Sequence, residues 1–250
     1  MLTINADDLG RSLAETDSAL ACMRSGSVTA ATAMVYMQDS ARAAECVRGT
    51  SWDIGLHLNL SEPFTGPDVP AALRERQGRL ARFLGSNRYA LVFFHPLLVR
   101  DFDYVVKAQL DAFARGYGRA VARLDGHQHM HLATNVLMQK LLPEGIRVRR
   151  SFTFQAGDRG ALNRWYRRRV DHSLRQRHRL GDRFYSLSHL KEPTRLAGVC
   201  REAHALDIEV MVHPNRPDEY RLLTSQTFAD LLASVRGSST SKHARCGVAS

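Results

Sequence analysis

Short apolar runs alternate along this chain with stretches whose apolar residues recur every three or four positions, and each change of period marks an element. Leu2 to Asn5 reads as a buried strand, and the pair Ser12-x-x-Glu15 opens a helix that Gly26 closes. Ala30 to Tyr36 is a second strand, Asp39-Ser40 caps a helix over SARAAECVRG, and Trp52 to Leu60 is a third strand. Helical spacing returns in FDYVVKAQLDAFARGYG, then a strand over Ala120 to Leu124 and a helix over Thr134 to Leu142. The series continues with a strand at Ile146 to Arg150, a basic helix over Ala161 to Arg179, a strand at Arg183 to Leu187 and a helix over Lys191 to Leu206. The buried strand IEVMVHP and a helix from Thr224 to Val235 end it.

Two segments break the rhythm. Residues 63–101 are rich in Pro, Gly and Arg and read as a surface excursion with a helix near Ala71 to Phe83, of the kind that covers an active site. Residues 237–250, GSSTSKHARCGVAS, predict a disordered tail, leaving 1–236 as a single domain.

About seven strand-helix units point to an α/β fold with a parallel sheet, closed into a barrel or open and doubly wound. The polar residues choose between them. Asp7-Asp8 follow the first strand, His57 sits at the end of DIGLHL, the row His127-x-His129-x-His131 follows RLDG and His213 follows EVMV, so each lies at the C-terminal end of an inferred strand. A barrel gathers strand ends on one face; an open sheet spreads them out.

Composition narrows the class. With 250 residues, 44% hydrophobic and 24% charged, the chain suits one globular domain. No apolar run approaches the roughly 20 residues of a membrane span, and no basic-then-apolar leader opens the chain, so a cytoplasmic location is expected. The four cysteines form no C-x-x-C pair, which points to reduced thiols, not a zinc knuckle or a disulfide scaffold. The net charge of +10 gathers in Arg164 to Arg183, where Trp165, Tyr166 and His172 are interleaved. Such a segment suits nucleic acid, an anionic membrane or a solvated helix face, and it matches no named nucleic-acid motif.

The candidate chemistry lies in the strand-end groups. Residues two apart on an extended segment share a side, so His127, His129 and His131 are expected in one row, able either to chelate a cation or to form a hydrogen-bonded loop network with Asp125. An open metal site commonly uses two histidines and a carboxylate. The doubled aspartate then either caps the next helix or divides its labour, one carboxylate on the ion and the other taking a proton from water. His213 is either a structural histidine or the proton donor to a leaving group.

The segments NADDLG, GLHLNL, LDGHQHMH and VMVHP, in this order from Leu2 to about Tyr220, resemble the YdjC/ChbG-type carbohydrate deacetylases, which include chitooligosaccharide deacetylases and a hopanoid-biosynthesis branch. The resemblance implies a distorted (β/α) barrel of about seven parallel strands, related to the polysaccharide deacetylases. It also implies one divalent ion, Mg2+ or Zn2+, and removal of N-acetyl groups from a sugar or glycolipid. Carried over, Asp8, His57 and His127 are the ligands, Asp7 the general base and His213 the general acid. The choice of His127 over His129 comes from the family, because spacing leaves both open. Asp125, His129, His131 and Arg149 are then supporting or substrate-contacting residues. No nucleic-acid partner is expected; a homodimer and peripheral contact with an anionic membrane are carried as candidates. The alternatives are another single-metal hydrolase, phosphoesterase or amidohydrolase-like, or a basic binding protein acting through Arg164 to Arg183. The first is disfavoured because two-metal phosphoesterases need bridging carboxylates and amidohydrolase-type barrels place an H-x-H on the first strand.

Overall fold

Strand β1 (Leu2–Leu9) divides its side chains between two environments. Ile4 and Ala6 enter the hydrophobic core, whereas Asn5 and Asp7 accept hydrogen bonds from the distant Arg123 and Arg149. The remaining strands are β2 (Ala30–Ala33), β3 (Asp53–Leu58), β4 (Arg123–Gly126), β5 (Arg147–Val148), β6 (Arg183–Ser186) and β7 (Ile208–Val212). In the computed structural model, residues 1–86, 89–154, 160–190 and 192–244 are described, without the side chains of 193 and 236–244. The seven strands form one parallel sheet in the order β5-β4-β3-β2-β1-β7-β6.

Long side chains show how strongly this sheet curls. Arg123 on β4 donates from Nη2 to Asn5 Oδ1 on β1 at 2.7 Å and lies 3.6 Å from Glu209 on β7. On a flat sheet β4 and β7 would stand four strand spacings apart, roughly 19 Å. That span is beyond an arginine. Arg149, just past β5, likewise reaches Asp7 on β1 and Glu209 on β7, each at 2.7 Å. The two edges approach through a parallel bridge between Arg147 and Arg179 and a bond from Thr153 N to Phe184 O of 2.9 Å. The expected distorted barrel is therefore present, with a polar inner face. Gly55 on β3 leaves space for it, since a Cβ there would stand 2.7 Å from the Arg123 carbonyl oxygen.

The apolar core lies outside the sheet, under the helices. Ile4, Leu56, Leu124, Val148 and Val210 from the strands meet Leu20 of α1 (Leu13–Arg24) and Phe102, Val106 and Phe113 of α4 (Val99–Tyr117). The Ser12 hydroxyl caps α1 by accepting from Ala14 N at 3.2 Å, and it donates in turn to the Glu15 carboxylate. α2 (Ser40–Val47) follows β2. Residues 63–101 contain α3 (Ala71–Ser86) and two short 3-10 turns, and Phe64, Leu73, Leu80 and Leu84 are buried.

Several elements are shorter than their apolar patterns suggest. The helix expected over Thr134 to Leu142 is α5 (Thr134–Met138), after which Lys140 turns left-handed at φ 55° while Leu142 still packs on the core, and the basic helix is α6 (Ala161–Arg175), which ends before the polar Gln176-Arg177-His178-Arg179. After α7 (Pro193–Glu202), the helix α8 (Pro217–Leu223) begins on a proline in its first turn and has no sequence counterpart in the expected series. α9 (Gln226–Ala244) ends the described chain. The last part of the tail expected at 237–250, from 245 onward, lies outside the described residues. Among the described residues, no helix is long and apolar enough to cross a membrane.

Candidate active site at the strand ends

The adjacent carboxylates of Asp7 and Asp8 are separated by a break in β1. Its register with β2 shifts between Ala6 and Leu9, and Asp8 adopts a left-handed φ of 65°. As a result Asp7 turns into the barrel and Asp8 towards the histidines.

Asp8 Oδ1 lies 3.2 Å from His57 Nε2 and 3.0 Å from His127 Nδ1. Each of the three residues offers one ligand atom, and these lie within 4.8 Å of one another. Each histidine is held on its far side by a carboxylate. His57 Nδ1 is 2.6 Å from Asp125 Oδ1, and His127 Nε2 is 3.0 Å from Glu62 Oε2. Such outer carboxylates fix the ring and tautomer of metal-ligating histidines. The donor set therefore fits a divalent ion bound through one oxygen and two nitrogens.

The local field favours positive charge. Burial opposes a proton on His57, but Asp125 and Asp7 outweigh it and hold the imidazole pKa up at about 10. Burial also opposes charge on Asp8, yet hydrogen bonds from His127 and His57 bring its carboxyl well below the usual range. For His127 burial is again overcome, by Asp8 and Glu62, and its pKa rises.

Asp7 is fixed separately. Arg149 grips it through two N–H···O bonds of 2.7 Å, and Asn5 Nδ2 donates at 2.7 Å. Asp7, His57 and Asp125 form a second cluster with metal-ligand spacing, but the Arg149 guanidinium already sits against both aspartates, at 2.7 and 2.5 Å.

The expected row of three histidines does not form. After Gly126 the chain leaves the strand for a 3-10 segment, His127–Leu132, in which Gln128 and His129 have left-handed φ values of 52° and 61°. His131 folds back so tightly that a Cβ on Gly126 would stand 2.8 Å from its amide nitrogen. Its Nε2 donates to the Arg149 carbonyl at 2.9 Å, and burial pushes its pKa down to about 4. His129 packs its ring 4.6 Å from Phe152 and 5.7 Å from Phe184; burial, then the Arg149 charge, hold it well below its ordinary pKa. Of the three, His127 alone joins Asp8 and His57 in a cluster of metal-ligand spacing among the described residues.

His213 lines the same cleft, of about 320 Å³, as Asp7, Asp8, His57, His127 and His129. Its backbone N–H donates to Glu219 Oε2 at 2.7 Å, which seats the residue, while its Nδ1 has no hydrogen-bond partner among the described residues. Burial raises the Glu219 carboxyl pKa. The sequence reading missed Glu62, Glu219 and Arg11, whose Nε lies 3.0 Å from Glu62 at the cleft rim. Glu62 sits just after GLHLNL, but nothing in its spacing announces a contact with His127.

Fold and site together define a distorted (β/α) barrel protein with an aspartate–histidine–histidine cluster on its strand-end face. The sequence profile of the YdjC-like proteins matches residues 1–240. The chain belongs to the YdjC-like protein family. It is 30% identical to a mouse carbohydrate deacetylase, over 86% of this chain and 78% of that protein. It is 27% identical to a chitooligosaccharide deacetylase of Escherichia fergusonii, over 53% of this chain and 50% of that one. A solved structure from Enterococcus faecalis, titled a putative cellobiose-phosphate cleavage protein, superposes with a TM-score of 0.64 at 18% identity and 94% coverage of both chains.

Proposed function

We propose that the protein is a divalent-metal-dependent hydrolase that removes the N-acetyl group from an amino sugar. One observation carries this reading: the break in β1 sends Asp8 to two carboxylate-braced histidines and leaves Asp7 in the grip of Arg149. Asp8, His57 and His127 would hold the ion, Mg2+ or Zn2+, which supplies Lewis-acid polarisation of the acetamide carbonyl. Asp7, oriented by Arg149, accepts the proton of the attacking water, and His213 gives a proton to the departing amine. Asn215 and Arg216 at the mouth of the cleft offer donors to sugar hydroxyls. The names of the mouse and E. fergusonii relatives support a carbohydrate amide as substrate.

The test is acetate release from N-acetylglucosamine oligomers by protein stripped of metal and resupplied with Mg2+ or Zn2+. Metal-dependent acetate is expected, with a loss on the order of a hundredfold or more in Asp7→Asn at unchanged metal content. If Asp7→Asn loses metal and activity together, the roles of the two aspartates are reversed. Metal uptake without acetate from any N-acetylated sugar would reject the deacetylase reading.

A further inference from the structure

The basic segment singled out in the sequence plays no part in this chemistry, and the structure sets it beside an exposed apolar lip. On α6, Leu162 is 78% and Trp165 58% exposed. At the end of the excursion, Phe93 is 62% and Leu97 86% exposed, with Val92 and Phe94 also in solvent. A cleft of about 420 Å³ joins the two, with Tyr89 and Val92 on one wall and Tyr166 and Arg167 on the other. Its floor includes Leu132 and Ser151, which follow β4 and β5, so the lip stands at the strand-end face that carries His127.

Charge accompanies this apolar surface. α6 contains five arginines and one acid, Asp171, which is buried and bonded to Arg150 and to the Ser151 amide. Arg168, Arg169 and Arg175 are exposed, and Arg169 lies 6.0 Å over the Trp165 ring. Exposed indole and phenyl rings beside a row of arginines match a lipid–water boundary, where rings enter the acyl edge and guanidinium groups meet phosphates. We propose that this lip is a docking surface for an anionic phospholipid bilayer, which would bring the strand-end cleft to the membrane.

The chemistry disfavours the other occupants. A two-fold contact between copies through this patch would bring two arginine rows together. Nucleic acid would use the arginines and rings but give no return for exposing Leu97, Leu162 and Val92. The proposal is independent of the deacetylase reading, and its test uses no sugar.

The full chain is floated with vesicles of phosphatidylcholine alone and of phosphatidylcholine and phosphatidylglycerol in equal parts. Association is expected with the mixed vesicles only, weakening with salt, together with a blue shift of Trp165 emission. Leu97→Ser/Trp165→Ser and Arg168→Glu/Arg169→Glu should each weaken it on the order of tenfold or more, since an arginine near such a surface contributes roughly fivefold. All four positions are exposed, so circular dichroism should match the parent chain. Absence of vesicle binding, or binding that both double variants retain, overturns the proposal. So does a halving of sedimentation mass in Leu97→Ser/Trp165→Ser, which assigns the lip to self-association, or salt-steep binding to duplex DNA in place of vesicles.

Discussion

Among the described residues, the Glu62 carboxylate meets the site through the far nitrogen of His127 and through Arg11. Its worth should therefore appear in metal affinity before anything else. Glu62→Gln is expected to weaken binding of Zn2+ by roughly 10–100-fold, measured by titration calorimetry, with the unfolding midpoint of the metal-free protein little changed. Protons compete for the same atoms. A ligating imidazole must be neutral, and His57 with its pKa near 10 carries a proton at neutral pH. Binding should thus release protons and strengthen as pH rises towards 10, by about tenfold per unit for each proton released. Calorimetry in two buffers of different ionisation enthalpy reads that number directly; no proton release would show that His57 is not a ligand. His131 acts in the opposite direction. Its folded pKa of about 4 lies below the ordinary 6.5, so the unfolded chain takes up the proton first as the medium becomes acidic. The stability it contributes is complete above pH 6.5 and is lost as pH falls towards 4, by about 3 kcal/mol at most. His131→Gln, which keeps a donor for the Arg149 carbonyl, should flatten that part of the denaturation profile.

At the scale of elements, strand ends were the legible part. Asp7, Asp8, His127 and His213 stood after short strand-like runs and His57 at the end of one, and parallel topology converts that position into proximity. The turn at Gln128 and His129 was not legible, because left-handed backbone at two non-glycine residues is imposed by the tight return of His131 on Gly126 and leaves no trace in hydropathy. Glu62 was hidden for a different reason: its partners are 51 and 65 residues away along the chain, at Arg11 and His127. Gly55 offers a test at this scale. A methyl group there would press on the β4 backbone at the Arg123 carbonyl, and β3 and β4 carry His57 and Asp125. Gly55→Ala should cost about 1–3 kcal/mol in urea denaturation and lower metal affinity with it. A loss of stability alone would mean that the two strands move together.

For the molecule as a whole, the inner wall of the barrel is held by charge. One guanidinium, that of Arg149, meets Asp7, Asp125 and Glu209 while 1% exposed. Replacing it with methionine would leave three buried carboxylates short of their partner. Arg149→Met is expected to cost about 3–5 kcal/mol, read from the urea midpoint, and to remove activity as well. An unchanged midpoint would show that the interior can protonate or rearrange at little cost. The lining also has a thermal consequence. Unfolding hydrates apolar groups, which raises the heat capacity, and polar groups, which lowers it; an ordinary chain of 250 residues gains about 3 kcal/mol/K. Here the layer that fills the middle of many barrels with aliphatic side chains is made of ions and amides. Scanning calorimetry should find a smaller gain and a flatter stability curve, so that cooling and warming each weaken the protein gradually.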